Sequence, residues 1–395
     1  MHLLQQRENM PFFFFKKLHV SKKSSNFAAD YKSSPVMKNI LHSLVLFCMI
    51  VAFAACDGVN KPSSDNSSRI ENNIISVQRI WAEGYCAFTS LVRYNGRYYC
   101  SFREASAHLF DADGKAEGKA RLLVSDNGTD WRSLALFAKE GMDLRDPKLS
   151  VMPDGRLMML MGGSVYEERK LKNMFPQVTF SSDGEHFTDL QPVVIDSALC
   201  RDMEWIWRVT WFGGTGYGVS YGSAFALVKT TDGVHYELVT PLDVTERPNE
   251  TSVQFLSDST MLLMVRREGG DKRGWWGTAR PPYTQWQWQE MDIPLGGPDF
   301  MILGDTLCIA GSRSLYATEK TMMFKGGLDG HLEEVCMLPS GGDDNSYTGM
   351  LVNGDELWVS YYSRHESPMA AIYLARMPLK WFTSPLTSKY HYKYW

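Results

Sequence analysis

Short apolar runs alternate with turn signals along most of this chain. Six pairs of strand-like runs are divided by tight-turn signals at Asn95-Gly96, Asp154-Gly155, Gly213-Gly214, Ser257-Asp258, Gly304-Asp305 and Asn353-Gly354. CAFTSLVRY and RYYCSFR flank the first, DPKLSVM and RLMMLMGG the second, SYTGMLV and ELWVSYYS the last. Apolar runs of this length, bounded by Gly, Asn and Asp, predict strands joined as hairpins. Most pairs are followed by two more strand-like runs, which in the first unit are ARLLVS and DWRSLALF. The pattern predicts an all-β chain of six units of about four antiparallel strands, a six-bladed β-propeller. The last unit shows three strands after Asn345, so IISVQRIW from Ile74 is expected to supply the fourth and close the ring. A β-sandwich or a pair of β domains has no need of six hairpins in phase.

A second repeat runs in step with the first, at about fifty residues. Its copies are Ser125-Asp126-Asn127-Gly128-Thr129-Asp130-Trp131, Ser182-Asp183-Gly184-Glu185-His186-Phe187 and Thr231-Asp232-Gly233-Val234-His235-Tyr236, with a weaker one at Asp329-Gly330. Each offers a hydroxyl, an Asp to bond the turn backbone, a Gly for φ > 0, and an aromatic to pack beneath.

The rest of the sequence bounds this fold. From Met37 the chain reads Lys38, the apolar ILHSLVLFCMIVAFAA, then Cys56, the layout of a secretory signal. Residues 1–36 read as an upstream extension, 37–55 as a signal peptide, 56–73 as a polar lipoprotein tether and 74–395 as the propeller. Ala52-Phe53-Ala54-Ala55-Cys56 is similar to a bacterial lipobox, with Phe53 where Leu is usual, which makes Cys56 the expected lipidation site. Plain cleavage near Ala54 or Ala55 is the alternative. The expected location is the bacterial envelope, periplasmic or on the outer-membrane surface, with a lipid anchor as the sole membrane contact.

The whole chain carries 41 basic and 45 acidic side chains; 7 and 2 of these fall in residues 1–55, which leaves 34 and 43 and a net charge of −9. No basic stripe points to nucleic acid. Beyond Cys56 the cysteines are 86, 100, 200, 308 and 336, widely spaced and expected as buried thiols. No Cys/His spacing suggests zinc, and no cofactor is implied.

Strand direction alternates within a blade, so first-strand starts and second-strand ends share one face near the axis. The repeated Asp turns lie on the other face and read as structural, which sets His186 and His235 aside. The first-strand starts are Arg145-Asp146, Asp202 with Glu204 to Arg208, Asn249-Glu250, Pro298-Asp299 and Asn345-Ser346-Tyr347. The second-strand ends are Arg103-Glu104, Arg266-Arg267-Glu268, Arg313 and Arg364-His365-Glu366. Any one of these is an ordinary solvated strand end. Together on one rim they predict a polar pocket whose guanidinium groups suit a carboxylate or other anion. Trp205, Trp207, Trp275 and Trp276 either stack on sugar faces or fill the blade core.

This pattern resembles the sialidase (neuraminidase) superfamily of Asp-box propellers, over nearly all of the chain beyond the tether. The strongest match is Pro248-Asn249-Glu250-Thr251-Ser252-Val253, followed by an Asp turn and a strand ending in Arg266-Arg267. The resemblance implies that Glu250 polarises a nucleophile and that Arg266 or Arg267 belongs to an arginine triad for the substrate carboxylate. It places the tyrosine nucleophile at Tyr347 and another triad arginine at Arg313. It places an acid/base Asp in EASAHLFDADGKAEG, which offers Asp111, Asp113 or Glu104. The chain departs from the family at Tyr85-Cys86-Ala87-Phe88-Thr89-Ser90-Leu91, where Tyr-Arg-Ile-Pro is usual and the first triad arginine is missing. Arg103, Arg145 and Arg208 are the candidates to reach inward instead, and Asp146, Trp207, Arg364 and His365 complete the candidate substrate-binding set.

The implied activity is that of an exo-acting glycoside hydrolase releasing a terminal, acidic sugar from glycans. A phenol titrates at about 10, so a Glu must take its proton as attack begins. Sialidases with a Tyr nucleophile depart from the two-carboxylate pattern in this way. An acid on the far side protonates the leaving oxygen and then activates water. The alternative is a non-catalytic glycan-binding propeller. A third reading is a lyase or epimerase of uronic sugars working through His365 or His108. The first two are separated by whether Tyr347, Glu250 and an acid from residues 104–117 meet in one pocket; the lyase reading needs a His or Tyr base beside an arginine-bound carboxylate, without the opposed acid.

Overall fold

The computed structural model describes residues 75–199, 203–314 and 319–385. The segments read as extension, signal and tether lie outside the described residues, and so does Cys56. Within them the chain forms six antiparallel sheets arranged as the blades of a propeller. The first blade runs Tyr85–Tyr94, Arg97–Ala105, Lys119–Ser125 and Arg132–Phe137 from the axis outward. The last has Ser346–Asn353, Glu356–Ser363 and Ala371–Pro378, and its fourth strand is Ser76–Trp81 from the other end of the sequence. That strand pairs antiparallel with Ala371–Pro378, from Ser76 opposite Arg376 to Trp81 opposite Ile372. The ring is closed as the apolar pattern predicts.

Each blade is covered by a neighbour on both faces, so its middle strands are apolar without alternation. In the first blade Leu122, Leu123 and Val124 are all fully buried. Leu122 and Val124 pack with Leu149, Leu157 and Met159 of the second blade, while Leu123 packs toward Trp358 of the last. Outer strands are half-exposed, as Arg132–Phe137 shows. The four described cysteines are buried thiols free of disulfides. Trp205, Trp207 and Trp276 are also buried and serve the core.

The third blade breaks the pattern. Its innermost strand is split into Glu204–Ile206 and Thr210–Phe212, which both pair with Thr215–Gly222. Trp207, Arg208 and Val209 occupy the gap. Val194–Ile195 adds a parallel edge strand beside His235–Pro241.

The turns of the second repeat use their residues one position away from the expected reading. Asn127, Asp183 and Asp232 organise them. The Oδ1 of each accepts the backbone N–H groups two and three residues on, all at 2.8 Å. The hydroxyl that accepts the glycine N–H belongs to Ser125, Ser181 and Thr230, at 2.8–2.9 Å, rather than to Ser182 and Thr231. In the first copy Asn127 takes the role expected of Asp126, which instead pairs with Arg97. Gly128, Gly184 and Gly233 hold φ of 76°, 79° and 78°, the left-handed region where a Cβ is strained.

Candidate active site

Four of the first strands carry the same irregularity near their start. Ala87 faces Arg103 and Ser90 faces Ser101, which leaves Phe88-Thr89 opposite one residue. Asp146-Pro147, Asn249-Glu250 and Tyr347-Thr348 are bulged in the same way. A bulge breaks the ladder and re-aims a side chain. Phe88, Asp146 and Tyr347 are held at φ of 67°, 48° and 51°. Such values cost a non-glycine residue about 1–3 kcal/mol each, so the surrounding packing must impose them.

The bulges bring Tyr347 and Glu250 together. The Tyr347 hydroxyl donates to Glu250 Oε1 at 2.7 Å. Arg266 Nη1 lies 2.6 Å from Glu250 Oε2 and donates to the Tyr347 oxygen at 3.3 Å. The Tyr347 ring meets Phe88 at 4.8 Å, Tyr362 at 5.8 Å and Trp207 at 6.2 Å between centroids. On another side it packs against Gly297, whose backbone leaves room for it. Burial pushes the phenol well above its ordinary range, the Glu250 carboxylate adds to this, and Arg266 opposes it. The phenol is thus protonated at rest and bonded to a base.

Two further guanidinium groups flank this pair. Arg145 lies 5.0 Å from the Phe88 ring centroid and is held by Asp143 at 3.2 Å. Burial disfavours its charge, but Asp143 and Asp146 more than restore it. Arg313 donates to the Asp343 carbonyl at 3.2 Å and lies 3.7 Å from Asp344. Burial lowers it, but the net effect is upward, with the Tyr347 and Tyr362 phenols foremost among the groups that raise it.

Asp344 anchors a second cluster beside the first. It accepts Tyr85 Oη at 2.5 Å on one oxygen and Tyr362 Oη on the other. His108 Nδ1 is 2.5 Å from the same oxygen as Tyr85. The His108 ring stands edge-on to Phe88 at 5.7 Å, so Phe88 touches both His108 and Tyr347.

The other predicted residues lie elsewhere or serve the scaffold. Arg103 is fully buried against Asp143 at 2.8 Å and donates to the Ala107 carbonyl, which ties down the loop that follows. Arg208 bonds Asp299 and the Thr348 carbonyl at 2.9 and 3.0 Å, which fastens the split strand to the last blade. Arg267 turns toward the blade edge, to the Arg273 carbonyl, Asp271 and Glu290. Arg364 is partly exposed and bonds the Pro368 carbonyl and Asp343. His365 packs on Tyr373 and bonds Ser363. Asp111 caps its own loop at the Lys115 N–H, and Asp113 is exposed in the same turn. Glu104 holds Arg121 and Trp81. Asp146 is buried near Glu250; burial raises its carboxyl, Lys148 opposes this and Glu250 adds to it. Beneath Tyr347, Lys148 Nζ bonds the Thr89 carbonyl at 3.0 Å. Lys148, Arg208 and Asp299 line an axial cavity of about 310 Å³. Burial first and then Arg208 push Lys148 down to about 7, against Asp146, Asp299 and Glu250.

Sequence reasoning named Tyr347, Glu250, Arg145, Arg266 and Arg313, which cluster here. It missed Asp344, Tyr85, Tyr362 and Phe88 as neighbours of that group. The signal for Asp344 was its place immediately before the Asn345-Ser346-Tyr347 strand start.

Six such blades make a propeller of sialidase-like fold. Among solved structures the chain is similar to a protein of unknown function from Dyadobacter fermentans, at 14% identity and a TM-score of 0.64, covering 76% of this chain and 99% of that one. It is also similar to the Trypanosoma rangeli sialidase, solved with 2,3-difluorosialic acid as a covalent intermediate, at 9% identity and a TM-score of 0.58. That match covers 77% of this chain and 58% of the trypanosomal one, so this chain spans under two thirds of that enzyme. The NanB sialidase of Streptococcus pneumoniae matches at 10% identity and a TM-score of 0.61, covering 76% and 69%. No family model and no curated protein matches the sequence. At these identities the likeness establishes the fold alone.

Proposed function

We propose that this protein is an exo-acting glycoside hydrolase that releases a terminal acidic sugar through a tyrosine nucleophile. The observation that carries the reading is the 2.7 Å bond from the Tyr347 hydroxyl to Glu250, with Arg266 on both partners, Arg313 near the phenol and Arg145 over the neighbouring Phe88 ring. Tyr347 attacks the anomeric carbon while its proton passes to Glu250 Oε1. The carboxylate accepts that proton without diffusion, because the bond already exists in the resting site. Arg266 holds Glu250 in register and faces the phenolic oxygen as it loses its proton. The guanidinium groups suit a carboxylate on the sugar. The solved sialidase with a covalent intermediate supports covalent catalysis on this fold.

Tyr347→Phe tests the reading. On reporter glycosides of hexuronic and nonulosonic acids, kcat should fall by about 10³-fold or more, while binding changes little, since the lost bond forms only on the way to the transition state. Digestion after trapping with a fluorinated sugar should place the adduct on the peptide containing residue 347. Near-native turnover by the variant would refute it. Because the first triad arginine is missing at Tyr85-Cys86-Ala87, release from ordinary sialosides should be weak, and efficient release would overturn that expectation alone. That Asp111 is spent on its own loop and Asp113 has no bond to Tyr347 or Glu250 favours a second reading, a non-catalytic glycan-binding propeller. That protein would retain a glycan on an array and release no sugar from any of these substrates.

A further inference from the structure

Cleavage of a glycosidic bond needs a proton for the leaving oxygen, and a second proton transfer when water arrives. Among the described residues no carboxylate of the 104–117 segment bonds or pairs with the Tyr347–Glu250 group: Glu104 is taken by Arg121 and Trp81, Asp111 by its own loop, and Asp113 and Glu117 are exposed. The segment does bring one ionisable group to the site. His108 sits across Phe88 from the nucleophile. Its Nδ1 is engaged by Asp344, which leaves Nε2 without a partner among the described residues, on a ring that is half-exposed. Asp344 is nearly buried and is itself held by Tyr85 and Tyr362, with Arg313 beside it. A nearly buried carboxylate on one ring nitrogen fixes the ring's orientation and leaves the other nitrogen to give or take a proton.

We infer that His108 is the acid/base group of this site and Asp344 its positioning residue. The assignment rests on the hydrolase reading and departs from the expected Asp donor. In the first step the anomeric carbon–oxygen bond breaks as the bond to Tyr347 Oη forms. The leaving oxygen takes the proton from His108 Nε2, and Glu250 takes the phenolic proton. In the second step water attacks the same carbon, its proton goes to neutral His108, and the phenol departs with the proton returned by Glu250. The sum is glycoside plus water to sugar plus alcohol, with both groups restored. Arg145, which reaches toward the His108 carbonyl, and Tyr85, edge-on to the ring, are the other polar groups facing His108.

The leaving group separates the outcomes. The panel is the 4-nitrophenyl and methyl glycosides of hexuronic and nonulosonic acids, with His108→Ala, His108→Gln, Asp344→Asn and Tyr347→Phe, each checked by thermal melting. A 4-nitrophenolate leaves without a proton. Both His108 variants should therefore lose about 10²–10⁴-fold on methyl glycosides and under about tenfold in the bond-breaking step on 4-nitrophenyl glycosides. Azide should accelerate the His108→Ala reaction and yield a glycosyl azide, because an anion attacks the intermediate without base help. Asp344→Asn should lose rate on methyl glycosides and largely keep it on 4-nitrophenyl glycosides, the same split as the His108 variants, which loss of a merely structural contact would not produce. Tyr347→Phe should lose both leaving-group classes alike. If the His108 variants slow both classes equally, or neither, while Tyr347→Phe abolishes both, the histidine assignment falls and the nucleophile stands. If wild type releases nothing from the panel, the hydrolase reading falls and takes this assignment with it.

Discussion

Single side chains set the tolerance of this site. Gly297 holds φ of 60°, and a Cβ there would lie 2.5 Å from the Tyr347 ring. Gly297→Ala therefore displaces the phenol from Glu250. Turnover should fall at least tenfold with a stability loss of about 1–2 kcal/mol, read as kcat beside a denaturation midpoint. A variant with lowered stability and unchanged kcat would show that the ring has room to move. Asp344 gives a pH dependence. Burial alone would raise its carboxyl, but the bonds from His108, Tyr362 and Tyr85 outweigh this and hold it at about 2. An unfolded Asp titrates at about 3.9, so its contribution of ~2 kcal/mol is complete above that value and is lost as pH falls toward 2. Melting temperatures from pH 6 to 2 should fall less steeply for Asp344→Asn than for wild type. At this scale Tyr347 and Glu250 were legible because each opens a strand in a distinctive local sequence. The His108–Asp344 pair was not, since it joins a loop to a strand start about 236 positions apart, and only the folded ring makes them neighbours.

The element that repeats most faithfully is the turn, and the element that does the chemistry is the bulge. Each turn spends a hydroxyl, an Asx and a glycine on its own backbone. Gly128→Ala would place a Cβ into the Trp358 ring at φ of 76°. The cost should be about 2 kcal/mol in unfolding free energy. The kcat of the variant should match wild type, because the turn is on the face away from Tyr347. A drop in kcat without a drop in stability would contradict that separation. Alternation and turn residues carried the hairpins clearly. They did not show the split strand around Trp207-Arg208, because no Gly, Pro, Asn or Asp between Glu204 and Phe212 signals a break. Nor could they show that Asn127, not Asp126, does the bonding in the first turn, since both types serve an Asx turn. The bulges were equally hidden. A one-residue slip leaves no compositional trace when the slipped residues are as different as Phe88, Asp146, Asn249 and Tyr347.

The molecule as a whole depends on its closing strand. Ser76–Trp81 covers the outer edge of the last blade, where Tyr373 and Leu374 would otherwise present an open ladder. A chain beginning at residue 83 should melt several degrees lower and aggregate more readily, as unpaired strand edges do. Scattering during a thermal ramp would show it, and an unchanged melt would mean that the ring holds with three strands there. The closure was legible from sequence by counting strands, because beyond the tether one apolar run lay outside the six units. The same closure fixes where the described chain enters and leaves. Ser76 starts opposite Arg376, which itself lies opposite Trp358, and Leu379, just before the short helix Lys380–Thr383, donates its N–H to the Asp355 carbonyl. Entry and exit therefore share the face opposite the mouth that holds Tyr347. Coupling a chain of residues 75–385 to a bead through either end should leave the mouth pointing into free solution. Large branched glycans should then be reached by the bead-bound protein as readily as by the free one, and the ratio of the two kcat/KM values should stay near unity whatever the size of the glycan.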